Sequence, residues 1–287
     1  MKNFLFPFLV LSVFLSCKSN KTQTSKDSVV ITSISAPAES LIKEFKPIIQ
    51  GVWVKADYIA EIAKTKSPLE AFAKASPITT MVIETELIKG DSILIAVGYG
   101  NHEGGSLIIK FRKGHANHSI IVCNTSGPME DGYYELQYSV DKKDTVLTLN
   151  TIDKNKNVVE SAKYFKAFNS QTGKELGYAT NYMVNKVTLA GSYLLMDTLN
   201  KTSSIKFTSN GDVFGLSSFA TYYINIDFTT PPGNNMDEII FDVYSKKSKS
   251  YAYNFNADTL KLYETTYSKD SIDLVLGKLK YKLVRHR

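Results

Sequence analysis

Tyr133-Tyr134-Glu135-Leu136-Gln137-Tyr138-Ser139-Val140 is the stretch that decides the fold. Tyr134, Leu136, Tyr138 and Val140 fall on one side of an extended chain, and Tyr133, Glu135, Gln137 and Ser139 on the other. Side chains alternate across a strand with period two, so this is the signature of a half-buried antiparallel strand. The pattern recurs upstream, where Ile93, Ile95, Val97 and Tyr99 form one face of a run and Leu107, Ile109 and Phe111 a face of the next. It recurs downstream, where Tyr222, Ile224, Ile226 and Phe228 oppose Tyr223, Asn225 and Asp227, and Leu279, Tyr281 and Leu283 oppose Lys278, Lys280 and Lys282. Between the runs stand turn formers, as in Lys89-Gly90-Asp91, Asn101-His102-Glu103-Gly104-Gly105 and Ser209-Asn210-Gly211-Asp212.

The runs divide into two sets with matching landmarks, the mark of an internal repeat at domain scale. Each set opens on a glycine and an aromatic, Gly51-Val52-Trp53 and Gly191-Ser192-Tyr193. Each has an Asp-Thr pair before a strand, Asp144-Thr145 and Asp258-Thr259, and a Lys-Tyr pair in its last strand, Lys163-Tyr164 and Lys280-Tyr281. Each is expected to hold about eight antiparallel strands joined by short turns, which favours an up-and-down barrel because closure removes exposed edges. A two-sheet sandwich is the alternative. The first set is the longer, and its surplus is the stretch 56–75. There Tyr58, Ile62, Leu69, Phe72 and Ala73 recur at helical spacing and Ser67-Pro68 marks a break and a second helix start. The expected class is therefore mainly β, two tandem barrels at 45–170 and 171–287, the first with a helical lid at 56–75 between its first two strands. A short helix is expected within 37–49.

Residues 1–16 carry Lys2 and then an apolar run from Phe4 to Leu15, too short to span a bilayer and typical of a secretory signal. Phe14-Leu15-Ser16-Cys17 resembles the lipobox of bacterial lipoproteins. That resemblance implies cleavage before Cys17, lipidation of its thiol, and a polar tether over the residues that follow, within 17–44. Two or three acyl chains exceed what reversible binding needs, so the protein is expected to stay on a membrane without a spanning helix. Lys18 stands where the enteric sorting rule places an inner-membrane Asp, which points to the outer membrane, and no acidic cluster follows Cys17, which favours the periplasmic side.

The opening Gly-x-aromatic of each eight-strand set, with a basic residue in the last strand, resembles the lipocalin and fatty-acid-binding superfamily and its lipocalin-like bacterial lipoproteins. The resemblance implies that the opening aromatic packs across the barrel's closed end beneath a last-strand cation. Trp53 and Tyr193 take the aromatic's place, Arg285 is the implied partner of Tyr193, and beyond Trp53 the first set has Lys166 or Phe168. The inserted helices are similar to the lid of fatty-acid-binding proteins. An eight-stranded barrel is wide enough to be filled by its own side chains or to hold one small ligand. If it holds one, Tyr58, Phe72, Tyr99, Phe111, Tyr134 and Tyr138 are the candidate lining of the first barrel.

The 287 residues are 43% hydrophobic and 22% charged, an ordinary globular composition. The formal net charge of +6 is spread along the chain, and neither Lys246-Lys247-Lys249 nor Lys278-Lys280-Lys282 is interleaved with aromatics, which excludes a nucleic-acid platform. Of four histidines, His115 and His118 have metal-like spacing, but His102 lies in a turn expected at the other barrel end, so no metal or other cofactor is expected. Cys123 sits in an apolar run and reads as a small buried residue. No nucleophile elbow, zincin helix or phosphate loop occurs, so no catalytic residue is assigned and an enzyme is not expected. Two readings remain. One is an anchored envelope protein that binds a small, largely apolar ligand in the first barrel. The other is a non-catalytic interaction module with filled barrels that docks an envelope protein or a glycan.

Overall fold

The computed structural model describes residues 35–124, 132–141, 144–170, 174–196, 202–216, 218–230 and 235–286. The signal, Cys17 and most of the expected tether lie outside them. Residues 34–287 form one compact unit. The chain enters it through helix α1 (Ala36–Ile49), which starts with a proline in its first turn and carries Phe45 and Ile49 one turn apart on its buried side.

Eight strands follow: β1 (Gly51–Lys55), β2 (Ile78–Ile83), β3 (Ser92–Tyr99), β4 (Glu103–Lys113), β5 (Ser119–Asn124), β6 (Gly132–Asp141), β7 (Asp144–Asp153) and β8 (Val158–Phe168). Each pairs antiparallel with the next, and β8 returns to β1, so the sheet closes into an up-and-down barrel. Between β1 and β2 the insertion forms α2 (Ala56–Thr65), α3 (Pro68–Ala71) and a 3-10 turn at Phe72–Lys74. α2 stops at Lys66, which adopts a left-handed conformation and donates its N–H to the Ile62 carbonyl. Ser67 then caps α3 by accepting the Glu70 N–H.

Helix α4 (Tyr178–Thr188) leads into the second set, a helix that the sequence reading left unassigned. Its strands are β9 (Gly191–Met196), β10 (Thr202–Phe207), β11 (Val213–Phe214), β12 (Tyr222–Ile224), β13 (Glu238–Phe241), β14 (Lys249–Asn256), β15 (Thr259–Tyr267) and β16 (Leu274–His286). They form one sheet in the order β11-β10-β9-β16-β15-β14-β13-β12, and a single bridge between Asp212 and Thr221 brings its two ends together. The barrel is nearly closed.

The repeat extends to atomic detail at the opening of each barrel. Trp53 donates its indole N–H to the Ile49 carbonyl at 2.8 Å, and Tyr193 donates its hydroxyl to the Leu189 carbonyl at 2.8 Å, in both cases four residues back. The Lys166 ammonium lies 4.9 Å from the Trp53 ring centre and the Arg285 guanidinium 5.1 Å from that of Tyr193. The cations also donate to the ends of the preceding helices, Lys166 to Ile48 and Arg285 to Thr188. The chain turns sharply between each helix and its barrel, and Gly51 and Gly191 meet the turn with φ of +130° and +148°. At Gly51 a β-carbon would come within 2.6 Å of the Phe168 carbonyl oxygen.

Two cores result. The interior of the first barrel is filled by its own side chains, among them Met81, Leu107, Phe111, Leu136 and Leu147, none more than 1% exposed. α1 seats Phe45 and Ile49 in the same cluster. The second core runs on past its own barrel. It joins Tyr193, Phe207, Phe241 and Leu262 to Tyr58, Ile59 and Ile62 of α2 and to Val52 and Val54 on the outer face of β1. The insertion expected as a lid is thus a wedge between the barrels.

Candidate functional site

The six aromatics expected to line one pocket do not converge. Tyr99, Phe111, Tyr134 and Tyr138 belong to the first barrel's core, with Phe111 fully buried. Tyr58 and Phe72 sit on the insertion and face the other way, into the second core, where Phe72 packs edge-on against Phe228 at 5.6 Å. The physical reason is that the insertion leaves β1 on the side of the barrel wall where Val52 and Val54 need cover. Tyr138 is tied to α1 by an edge-on contact with Phe45 and a 2.9 Å hydrogen bond to Glu44.

One concave surface lies instead at the seam between the barrels. A cavity of about 310 Å³ is walled by Thr79 and Thr80 of β2, by the β3–β4 turn at Asn101–Gly104, by the first turn of α4 at Gly177–Asn181, and by Tyr223 and Ile226 of the second barrel. The turn reaches its place because Gly100 and Asn101 both take left-handed φ, +54° and +64°. From there the Asn101 amide nitrogen donates to the Tyr58 hydroxyl at 2.9 Å and to the Ile226 carbonyl at 3.3 Å. Across the seam the Thr80 and Thr180 hydroxyls hydrogen-bond to each other. Two side-chain oxygens stay buried here with no partner, Asn101 Oδ1 and Asn181 Oδ1. Burial and the nearby Asp227 charge push the Tyr223 phenol up to about 12, so it remains a hydroxyl.

His102 and Asp227 strap the barrels together at the rim, with Nδ1 2.7 Å from the carboxylate. The hydrogen bond and charge of Asp227 raise the His102 pKa. Burial pushes Asp227 up, but hydrogen bonds from His102 and Thr229 outweigh it and hold the carboxylate below its ordinary value. On the far side of this strap a second, more apolar hollow of about 490 Å³ is lined by Phe72, Pro77, Tyr99 and Thr229 and shares His102 and Glu103 with the first. Because the histidine's folded pKa is raised above 6.5, its contribution is present below that value and fades as pH rises through the folded one. His102→Ala is therefore expected to lower the thermal midpoint at pH 6, with the difference shrinking by pH 9. A pH-independent difference would show that the strap carries no charge-dependent stability.

The other two turn histidines stand at the opposite end of β4. His115 Nδ1 lies 2.8 Å from Glu135, and His118 Nδ1 lies 2.7 Å from Glu44. Among the described residues no group of three or more His, Cys, Asp or Glu forms a metal cluster. Glu135, on the more polar side of its strand, is 1% exposed. Its carboxylate collects the backbone N–H groups of His115 and Ala116, the His115 ring, the Ser119 hydroxyl and the Tyr133 hydroxyl. Burial pushes Glu135 up, and these hydrogen bonds more than offset it, so the group is held below its ordinary value. It pins the β4–β5 turn. Cys123, expected to be buried, is half-buried opposite Ile108 on the outer face of the wall.

The seam residues Asn101, Asn181 and Asp227 escaped the sequence reading because each is an ordinary polar turn or helix residue until the two barrels meet. One signal was present. Val52-Trp53-Val54 and Met81-Val82-Ile83 are apolar at every position rather than alternating, which marks strands covered on both faces. No family model matches the chain, and no curated protein matches it.

Proposed function

We propose that the protein is a non-catalytic binding module of the cell envelope, anchored by lipid at Cys17 on the periplasmic side of the outer membrane, with its ligand site at the seam between two filled barrels. The observation that carries this reading is the packed interior of the first barrel, plugged by Phe45 and Ile49, beside a walled cavity outside it. A barrel filled by its own side chains is a scaffold, and concave sites collect where two rigid bodies meet. The aromatic hollow at Phe72 and Tyr99 supports a second reading, in which a small apolar ligand binds at the same seam.

Native mass spectrometry of the chain after incubation with an envelope extract tests the site. A retained passenger is expected on the wild type and not on Gly104→Phe, whose side chain would fill the cleft beside Leu176. Equal retention by both, or none by either, counts against a seam site. The anchor is tested by Cys17→Ser, which is expected to leave an unprocessed precursor; normal processing would remove the lipid from the reading.

A further inference from the structure

The net charge, expected to be spread along the chain, is gathered near its end. Residues 246–287 hold ten Lys or Arg against four Asp or Glu, a surplus equal to the +6 of the whole chain. Much of it lies on the β15–β16 hairpin, which leaves the barrel wall. β14 accompanies β15 only as far as the pair Ala252–Tyr263, and β9 accompanies β16 only from Leu283 onwards. Among the described residues, the strands beyond Tyr263 and Leu279 pair only with each other. Two register shifts flank Tyr263, and bulges of this kind bend a strand pair and raise its twist. Asn235 steadies the resulting ribbon near its turn by exchanging two hydrogen bonds with the backbone of the buried Leu274, at 2.9 and 3.0 Å.

The ribbon is apolar where it has no neighbouring strand. Ile272 and Leu276 are 49% exposed, Val275 and Leu279 48%, and Tyr267 58%. A single exposed apolar residue is ordinary, but among the described residues no other stretch of this length exposes so many large ones. Cross-strand partners share a face, which puts Leu279 beside Tyr263 and Leu276 beside Thr265. Two residues back along that face Lys261 and Lys282 stand directly opposite each other, an arrangement of like charges that is destabilising by itself. Lys269, Lys278 and Lys280 are exposed on the same ribbon. Against them stand Glu264, 3.8 Å from Lys280, and Asp270 and Asp273 in the hairpin's turn. The β13–β14 turn opens at the same end of the up-and-down sheet and adds Tyr244, fully exposed, with Lys246, Lys247 and Lys249.

We propose that the β15–β16 ribbon lies on an anionic lipid bilayer, with Leu276, Leu279 and Tyr267 entering the headgroup region and the lysines meeting the anionic headgroups. Charge complementarity selects this occupant. Apolar side chains alone would fit any hydrophobic partner, whereas half-exposed leucines with tyrosine and lysine around them suit an interface that is apolar beneath and negative at its surface. Binding of that kind draws on buried apolar area and electrostatic attraction together, and it relieves the repulsion between Lys261 and Lys282. The inference goes beyond the seam site and does not need the anchor. If Cys17 is lipidated, residues 18–34 reach at most about 60 Å, which keeps the ribbon close to the same bilayer.

Co-sedimentation of residues 18–287 with lipid vesicles tests it, since this chain holds the whole compact unit and lacks both signal and anchor. At low salt, binding to vesicles of mixed phosphatidylglycerol and phosphatidylcholine is expected to be about tenfold or more tighter than to phosphatidylcholine alone, and to fall about tenfold in high salt. Lys278→Glu with Lys282→Glu, and separately Leu276→Ser with Leu279→Ser, should each weaken it about tenfold without lowering the thermal midpoint, since all four side chains are exposed. On the wild type, amide exchange at 264–279 should slow when vesicles are added while 144–168 is unchanged, a result that does not depend on any variant folding. No binding to the anionic vesicles, equal binding to both kinds, protection confined to other segments, or indifference to either pair of substitutions would overturn the proposal. So would a dimer of the free chain that the leucine substitutions dissociate, because a second copy would then cover the face.

Discussion

Replacing Trp53 by alanine is expected to destabilise the first barrel by about 3–5 kcal/mol, the range for removing a fully buried large aromatic. Trp53 has no exposed surface, and its loss removes three things together: the core volume, the hydrogen bond to the Ile49 carbonyl and the ring beneath the Lys166 ammonium. The last matters because burial holds Lys166 below its ordinary pKa, so the cation is already poorly solvated and would lose its aromatic face. Trp53→Phe keeps most of the volume and is expected to cost less, chiefly the indole hydrogen bond at about 1 kcal/mol. Because the chain has a single tryptophan, the unfolding midpoint in urea should be followed by circular dichroism rather than fluorescence. A loss under about 1 kcal/mol for the alanine variant would mean that the helix–glycine–aromatic corner is not a stability determinant. The same corner in the second barrel differs in one respect. Arg285 donates to the Tyr193 hydroxyl at 2.7 Å as well as covering the ring, so Tyr193→Phe leaves the guanidinium and the Leu189 carbonyl each short of a partner.

The strands of both barrels were legible because most of them obey one rule, apolar in and polar out with period two. The expected eight strands per barrel correspond to β1–β8 and β9–β16, although the run read over Tyr222–Phe228 is a strand only to Ile224. The rule carries no information on what covers a wall from outside. Residues 56–75 read correctly as helices, since Tyr58 and Ile62 lie one turn apart and Ser67-Pro68 restarts the chain. An amphipathic stripe states that a helix needs an apolar partner but not which one, and the lipocalin resemblance implied a lid over the first barrel. The both-sides-apolar character of Val52 and Val54 was the clue that the partner lay on the outer face. α4 was invisible for a different reason. Its sequence, Tyr178 to Thr188, carries three threonines or asparagines on its buried side, Thr180, Asn185 and Thr188, which break the hydrophobic period. Two of them find partners at the seam and the second barrel mouth that local pattern cannot reveal: Thr180 meets Thr80, and Asn185 donates to the Ser209 carbonyl. The site inherits the same limit, since its walls come from both barrels.

The largest expected effect follows from the asymmetry of the two cores. Residues 174–287 expressed alone are expected not to fold, whereas residues 35–170 are expected to fold and self-associate. The first barrel's cluster is complete within its own half of the chain, closed by α1. The second barrel's cluster is not, because Val54, Tyr58, Ile59 and Ile62 are buried in it and come from the first half. Each such side chain contributes roughly 1.5–3 kcal/mol when buried, so their removal withdraws about 6–12 kcal/mol, as large as the whole stability of a typical domain. Polar ties go with them: Lys66 donates to the Val187 carbonyl, Tyr253 to the Lys66 carbonyl, and the Leu69 N–H to the Asp237 carboxylate. Without the insertion Tyr253 and Asp237 would lose these partners. The first half, cut free, would present Val52, Val54 and the apolar side of α2 to water, a contiguous patch that invites self-association. Amide dispersion in a nitrogen–proton correlation spectrum reads the outcome directly, and a dispersed spectrum from 174–287 would overturn it. Within the intact chain, Ile62→Asp places an unpaired charge in the shared core. Hydrogen exchange should then open residues 191–286 ahead of 51–168, and uniform opening of both would mean that the two barrels fold as one cooperative body rather than as a scaffold and a dependent.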